Sequence, residues 1–324
     1  MRTLKRLLLL LGVLLLVVLV YRVGSEPILE TLRRLAWWQF VLICVPYGLM
    51  MAVDTLGWRY AFLRDSGPFG RLYAARMVGE ALNIVTALGQ VGGEAVKVWL
   101  VRRDVSYEQS VPSVVIAKTT LTIAQTLFLA IGIVVAWTAL DVGSQMLRVM
   151  LWLLLVEVVA VAGFAGVQVS GLVARGGRLL RWLGGNEAHA ATLDEALRAY
   201  YRHEWRRFAL SVGFHLVGWL LGAVEVFVML WALGIDASLV TATMIEALGS
   251  GVRFATFFVP ASLGALEGAN AVAFEALGLG AAAGLAFSFV RRARQAVWVL
   301  IGIAGLLAMR WSLARACDGA GTGA

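Results

Sequence analysis

Long apolar runs, separated by short basic segments, make up most of the sequence. A transmembrane helix takes about 20 predominantly apolar residues, and this chain contains several runs of that kind. The pattern predicts an all-α integral membrane protein that forms one polytopic domain over residues 1–324. We assign six full transmembrane helices, at about residues 7–20, 37–63, 111–140, 147–170, 208–233 and 282–309.

The first apolar run follows a basic N-terminus and would also suit a secretory signal peptide. No small-x-small cleavage site follows the run, whereas a signal peptide is expected to have one. We therefore interpret residues 7–20 as a retained transmembrane helix, with a cleaved signal peptide as the open alternative.

Two further apolar stretches, at about residues 74–101 and 239–277, are too interrupted to be plain transmembrane helices. Glycine and proline are unfavourable inside helices, and non-helical backbone at membrane depth persists only inside protein or beside a wet cavity. Each stretch is therefore predicted to be a re-entrant helix pair that enters and leaves the membrane on one side. The residues assigned to the breaks are Gly89, Gly92, Gly93, Pro260 and Gly264.

Composition and charge agree with a membrane location. Only 15% of the residues are charged, and the net charge is +8. With a cytoplasmic N-terminus, most arginines between the helices face the cytoplasm, as the positive-inside rule requires. We therefore predict a multi-pass protein of the bacterial inner membrane with both termini in the cytoplasm. Because the basic residues lie between apolar runs, we expect anionic lipid and not nucleic acid as their partner.

The two broken stretches lie in halves that match at a constant offset. Glu94 and Glu267 each follow a glycine-bearing break and are 173 residues apart (267 − 94 = 173). The same offset relates Lys118 to Arg291, a basic residue inside the next apolar run (291 − 118 = 173). Under the topology above the repeat is inverted, as in many secondary transporters. The predicted repeat halves are about residues 74–140 and 239–309.

Charged residues inside the apolar runs form the candidate site, because a charge at the bilayer centre costs about 2.5 kcal/mol or more. One interpretation is a polar cavity in which the bases bind an anionic phosphate headgroup and the acids neutralise them when the site is empty. The other is structural, with ion pairs Glu94–Lys118 and Glu267–Arg291 bracing each helix pair against the next helix. The candidate substrate-binding residues are Glu94, Lys118, Glu267, Arg291 and Arg292.

Other polar residues in the apolar runs are assigned structural roles. Glu157 and Glu225 are predicted to pair with Arg292 or Arg294. The residues predicted to cap broken helix ends are Asn83, Gln90, Gln125 and Asn270.

The sequence offers no motif for catalysis, metal binding or nucleotide binding. Its cysteines and histidines lack the spacing of a metal site or a disulfide framework, and no phosphate-binding loop or Ser-His-Asp order stands out. An intramembrane enzyme acting on a polyprenyl or hopanoid substrate would need an acidic cluster such as an Asp-rich motif, which we do not find. We expect no metal, no cofactor and no enzymatic activity, with transport driven by a gradient or by no energy source.

Three sequence features occur together in one known family of membrane domains. They are the break Gly92-Gly93-Glu94, the segment Pro260–Glu267, and the basic residue at Arg291 or Arg292. In these features the chain resembles the transmembrane, or flippase-like, domain of lysylphosphatidylglycerol synthases. The second feature is similar to the family's Pro-x-x-x-Gly-x-x-Glu pattern, with Ala261 where a glycine is common, whereas the first half has Ala87 in place of the equivalent proline. The resemblance covers nearly the whole chain.

The resemblance implies lipid movement. In two-domain relatives a soluble C-terminal domain transfers an aminoacyl group from tRNA to the lipid, and the membrane domain is linked to flipping the product. This chain ends at Ala324, soon after its last predicted helix, and it is most similar to stand-alone members of the hopanoid-biosynthesis-associated type. We expect a flippase-like transporter of an amphipathic phospholipid or hopanoid. The open alternative is a non-transporting scaffold or accessory subunit that partners lipid-biosynthesis enzymes.

Overall fold

The computed structural model describes residues 2–64, 66–85, 91–139, 144–170 and 187–321, which contain α-helices, one short 3-10 helix and no strand. The first seven helices are α1 (Arg2–Val23), α2 (Ser25–Arg33), α3 (Trp37–Tyr60), α4 (Phe69–Val85), α5 (Val91–Val101), α6 (Tyr107–Ala139) and α7 (Ser144–Ser170). The remaining helices are α8 (Glu187–His203), α9 (Trp205–Ala232), α10 (Leu239–Ala255), the 3-10 helix Pro260–Ser262, α11 (Ala265–Ala276) and α12 (Ala281–Gly321).

Four of the described helices, α3, α6, α7 and α9, are long and apolar enough to cross a membrane. The face of α7 away from the protein carries large exposed apolar side chains, among them Trp152, Val159 and Phe164. Such a face is costly in water and suits contact with lipid. The chain is therefore an all-α, multi-pass membrane protein. The count of six full spans, which adds α1 and α12, stays a prediction.

Each broken stretch forms a pair of short helices, as the sequence predicted. Helices α4 and α5 pack against each other and form hairpin one; α10, the 3-10 helix and α11 form hairpin two. The break in hairpin one falls on residues 86–90, so the predicted break residue Gly89 and the predicted cap Gln90 lie outside the described residues. Entry of both hairpins from opposite faces of a membrane stays a prediction.

Gly92 and Gly93, predicted as break residues, instead lie in the first turn of α5. Glycine is needed at position 93 because α4 and α5 approach each other closely there. A Cβ at this position would lie 1.9 Å from the backbone oxygen of Gly79 on α4. In hairpin two the break is a true turn. Pro260 begins the 3-10 helix, and Gly264 adopts a φ of 78° directly before α11, a conformation that L side chains rarely adopt.

The helix pattern repeats at the offset found in the sequence. Residues 69–85 of α4, moved by 173, fall on 242–258 (69 + 173 = 242; 85 + 173 = 258), and α10 spans Leu239–Ala255. The same shift brings α3 onto α9, α5 onto α11, and α6 onto the start of α12. The two halves therefore share the helix order long, short, short, long. The relative orientation of the halves stays a prediction.

The first helix of each hairpin packs against the long last helix of the other half. Helix α10 packs against α6, where a Cβ at Gly132 would lie 2.2 Å from the Cβ of Ala247. Helix α4 packs against α12, where a Cβ at Gly302 would lie 2.6 Å from the Cβ of Ala81. Small residues allow such close contacts between membrane helices. The two hairpins are thereby tied into one bundle through reciprocal contacts, around the extensive packing of α3 on α9.

Candidate functional site

Seven charged side chains lie around hairpin two and form what we call the hairpin-two cluster. Its members are Glu225, Glu246, Arg253, Glu267, Arg291, Arg292 and Arg294. They come from α9, α10, α11 and α12, which carry them to one place because α10 and α11 are short and α9 and α12 run past them. All three acids are buried. A buried acid is stable only with a basic partner or a proton, and the cluster supplies basic partners.

Glu246 on α10 is the most heavily paired acid of the cluster. Its Oε1 accepts a hydrogen bond from Arg253 Nη2 at 2.6 Å, and its Oε2 accepts one from Arg291 Nη2. Sequence reasoning did not place this acid in the site. No local spacing pointed to this pair, because 45 residues separate Glu246 from Arg291.

The predicted pair Glu267–Arg291 is wrong. Glu267 Oε1 accepts a hydrogen bond from Arg292 Nε at 2.7 Å, whereas Arg291 binds Glu246. Adjacent residues of an α-helix point about 100° apart, so Arg291 faces α10 and Arg292 faces α11. The other oxygen of Glu267 accepts from the backbone N–H of Gly264 at 2.7 Å. The acid therefore also caps the start of α11, where helix N–H groups lack partners.

Glu225 pairs with Arg294, at 2.8 Å between its Oε1 and Arg294 Nε, which is one of the two partners that the sequence allowed. The guanidinium of Arg294 also lies over the ring of Tyr47, 4.0 Å from its centroid. This pair connects α9 and α12, and the aromatic contact extends the connection to α3.

Two guanidinium groups converge on the surface of α10 at Gly249. A Cβ at this glycine would lie 3.5 Å from Arg253 Nη1 and 3.9 Å from Arg291 Nη1. Arg291 Nη1 is buried and has no hydrogen-bond partner among the described residues. The cluster contains four bases and three acids, so its formal charge is +1 (4 − 3 = 1). An unsatisfied guanidinium and a net positive charge suit an anion with oxygen ligands.

The charged residues of hairpin one are arranged differently. Glu94 accepts hydrogen bonds from Lys97 Nζ at 2.9 and 3.0 Å, so this ion pair lies within one turn of the same helix. Lys118 on α6, the predicted partner, lies within electrostatic range of Glu94. Asn83 on α4 caps the start of α5, as predicted, by accepting a hydrogen bond from the backbone N–H of Gly93 at 2.8 Å.

The other two predicted caps bind elsewhere. Asn270 donates to the Ser288 hydroxyl at 2.8 Å and so joins α11 to α12. Gln125 donates to the Ser250 carbonyl at 2.9 Å and to Glu157 Oε1 at 3.0 Å. The predicted pairing of Glu157 with Arg292 or Arg294 is therefore wrong, since its direct partner is an amide.

A third charged group, which sequence reasoning missed, connects α3, α4 and α9. Asp54 Oδ2 accepts a hydrogen bond from Arg76 Nη2 at 2.8 Å, and its Oδ1 lies 2.9 Å from His215 Nδ1. All three side chains are buried. Gly57 and Gly218 make room, since a Cβ at Gly57 would lie 2.7 Å from the His215 ring and one at Gly218 2.6 Å from Asp54 Oδ1. The partners are 22 and 161 residues from Asp54, so no local spacing marks them.

Comparison with known proteins gives one match. A family model described as the lysylphosphatidylglycerol synthase TM region matches residues 6–304, which is most of the chain. No curated protein matches the chain. No solved structure matches it either.

Proposed function

We propose that this chain, which belongs to the lysylphosphatidylglycerol synthase transmembrane family, moves an amphipathic lipid between the two leaflets of a membrane. Membership of the family makes it a membrane domain related to lipid metabolism. The finer proposal is that the cargo is a phospholipid or a hopanoid with an anionic headgroup, and that the protein carries no enzymatic activity of its own. The headgroup is held between the two hairpins, and the acyl or ring portion stays in contact with lipid.

The observation that carries this proposal is the pair of guanidinium groups at Gly249. One nitrogen of Arg291 is buried there without a hydrogen-bond partner among the described residues, and Arg253 lies on the same surface. A phosphate oxygen would satisfy this donor with a charge-assisted hydrogen bond. Arg292, Glu94 and Lys118 complete the proposed site, with the acids neutralising the bases when no headgroup is bound.

The family and the helices support a multi-pass membrane location. Beyond that, we propose the bacterial inner membrane with both termini in the cytoplasm, on the basis of the arginine-rich loops. The absence of a nucleotide-binding motif from the sequence supports a gradient, or passive exchange, as the driving force.

The test is reconstitution of the full chain into liposomes that contain a phosphatidylglycerol with a fluorescent headgroup. Lipid that reaches the outer leaflet is quenched by a membrane-impermeant reductant, and we expect faster quenching of the inner pool than in empty vesicles. Arg291→Gln should slow this exchange at least about tenfold, because a lost charge-assisted hydrogen bond is worth about 1.5–3 kcal/mol. Arg103→Gln, at an exposed arginine outside the clusters, is the matched control and should leave the rate unchanged. Wild-type rates equal to those of empty vesicles, for every lipid of the host, contradict the proposal.

The alternative is a scaffold or accessory subunit of a lipid-biosynthesis complex that transports nothing. The observation that favours it is the density of ion pairs, because each acid of the hairpin-two cluster already has a basic partner. In that case Glu267→Gln and Arg291→Gln should lower the free energy of unfolding. The protein that still folds should retain full activity in the cell and pull down the same lipid-biosynthesis enzymes.

A further inference from the structure

A carboxyl group that forms no ion pair with any residue the structure describes lies in the lipid-facing helix α7. Glu157 is 0% exposed, although most of its helix faces outward. Five other acids in the helical bundle lie at ion-pair distance from a basic side chain: Asp54, Glu94, Glu225, Glu246 and Glu267. Among the residues that the structure describes, Glu157 has no such partner, and its Oε2 has no hydrogen-bond partner. An isolated buried carboxylate is very costly, and such a group is stable when it carries a proton.

The surroundings of Glu157 are polar but sparsely charged. From α6, Gln125 donates to its Oε1, and the Thr126 hydroxyl lies nearby. From α10, Arg253 is the charged side chain of the described residues that acts on it at longer range. Helix α8 packs against the C-terminal end of α7, 11 residues beyond Glu157 (168 − 157 = 11), where Tyr201 donates to Gln168 at 2.6 Å. In the described part of the chain, Glu157 therefore faces one base, Arg253, which belongs to the hairpin-two cluster.

Gln125 links Glu157 directly to hairpin two. The same amide nitrogen donates to Glu157 and to the backbone carbonyl of Ser250 on α10. Beside it, α10 touches α7 closely, since a Cβ at Gly251 would lie 3.0 Å from Leu153 Cδ1. A change in the charge of Glu157 thus acts on α10 both through this amide and through Arg253.

The charge balance decides which protonation state of Glu157 favours an anion at the hairpin-two cluster. With a proton on Glu157, the hairpin-two cluster has a formal charge of +1, from four bases and three acids. When Glu157 releases its proton to water, a fourth acid faces Arg253 and the sum becomes zero (4 − 4 = 0). An anion is held better by the positive cluster than by the neutral one, because the local dielectric inside the protein is low.

We propose that Glu157 is a proton-binding site, and that a proton there and an anionic lipid headgroup at the hairpin-two cluster stabilise each other's binding. The inference rests on the proposed function, because it takes the hairpin-two cluster as the headgroup site. It adds a coupling ion to the proposed transport, because a lipid that moves with its headgroup bound would carry the proton in the same direction. By linkage, the lipid raises the affinity for the proton by the same factor as the proton raises the affinity for the lipid.

The experiment measures binding and proton uptake, not transport. The detergent-purified full chain is titrated with dihexanoyl-phosphatidylglycerol at mildly acidic and mildly alkaline pH, in weak buffer with a pH indicator. We expect affinity to be at least about fivefold higher at acidic pH, the lower end of typical coupling between sites, and proton uptake on binding at alkaline pH. Dihexanoyl-phosphatidylcholine, which has no net charge, should produce no uptake. Inorganic phosphate is the third probe, and equal proton-linked binding of it would overturn the assignment to a lipid.

Variants identify the proton site. Glu157→Gln fixes a neutral side chain, so its affinity should be the same at both pH values, without proton uptake. Glu157→Met serves the same purpose if the amide variant does not fold, and Glu157→Asp should retain the uptake. Glu108→Gln, at an exposed acid near the start of α6, should behave as wild type.

The outcomes separate this proposal from the proposed function. Proton uptake that survives in Glu157→Gln, or wild-type binding that does not depend on pH, overturns the assignment of Glu157. Proton-linked binding that is lost in Glu157→Gln supports it, even where liposomes show no lipid movement; the transport proposal alone then fails. Wild-type protein that binds none of the probes overturns the inference together with the headgroup site.

Discussion

Hairpin one and hairpin two occupy equivalent positions in the two halves, but their charges are tied to the bundle in different ways. The acid at the start of the second helix is shared, as Glu94 in α5 and Glu267 in α11. Glu94 pairs with Lys97 of its own helix, whereas Glu267 pairs with Arg292 of α12. The acid of α11 therefore ties hairpin two to α12, whereas hairpin one is tied to a neighbouring helix through α4, where Arg76 pairs with Asp54 of α3.

Within hairpin one, close backbone packing and a cap hold α5 against α4. Gly93 touches Gly79 across α4 and α5, and Asn83 binds the backbone of α5. An ion pair inside the membrane weakens when a ligand competes for one of its charges, whereas a backbone contact does not. The comparison suggests that hairpin two is the half that responds to an anionic ligand and that hairpin one is the fixed half. The predictions that follow probe this difference.

The largest effect is expected for Glu246→Leu. This change leaves Arg253 and Arg291 without their shared carboxylate, and breaking a buried pair from one side costs about 3–5 kcal/mol. Chemical denaturation in mixed micelles should show a correspondingly lower free energy of unfolding. Glu94→Leu should cost clearly less, because the Glu94 side chain is 18% exposed and that of Glu246 4%. An equal loss of unfolding free energy in the two variants would contradict the proposed difference between the hairpins.

The next largest effect is expected for Gly93→Ala, which tests whether packing holds hairpin one. The added methyl group overlaps the backbone oxygen of Gly79, and overpacking of this kind costs about 1–3 kcal/mol. Gly70→Ala is the matched control in the same pair of helices, since a Cβ there meets nothing within 4 Å. Because Gly70 lies in the first turn of α4, that control should change the free energy of unfolding by less than about 1 kcal/mol. If Gly93→Ala left the free energy of unfolding unchanged, the close contact of α5 with α4 would not be what holds them together.

Much of this fold is readable from the sequence, because lipid imposes simple rules. Apolar length predicts the long helices, and glycine and proline predict the interrupted ones. The offset of 173 residues also holds for the helix bounds. What the sequence predicted incorrectly is which charged residues pair with each other. Whether Arg291 or Arg292 faces Glu267 depends on the rotation of α12 about its axis, which a run of apolar residues does not determine. The Asp54–Arg76–His215 group joins helices far apart in the chain, and only their packing brings it together.

The corrected pairing in hairpin two can be tested with double-mutant cycles. Glu267→Gln combined with Arg292→Gln should show a coupling free energy of about 0.5–3 kcal/mol, the range for residues in direct contact. Glu267→Gln combined with Arg291→Gln should show a clearly smaller coupling free energy, because these side chains belong to the same cluster but do not pair. Unfolding in mixed micelles supplies all the required values. A reversed result would restore the pairing predicted from the sequence and would place α12 in a different rotation.

The smallest effect is expected for Asn83→Ala, which removes the cap of α5 in hairpin one. The backbone N–H of Gly93 then loses its acceptor, at a cost of about 0.5–2 kcal/mol for a lost helix cap. Ser238→Ala is the matched control, because Ser238 caps α10 at an exposed helix start by accepting from the Thr241 backbone. If hairpin one is the fixed half, Asn83→Ala should lower stability without changing affinity for the anionic lipid probe, since no charge of the hairpin-two cluster is altered. A change in that affinity would mean that both hairpins move when the ligand binds, and the division into a fixed and a responsive half would then be wrong.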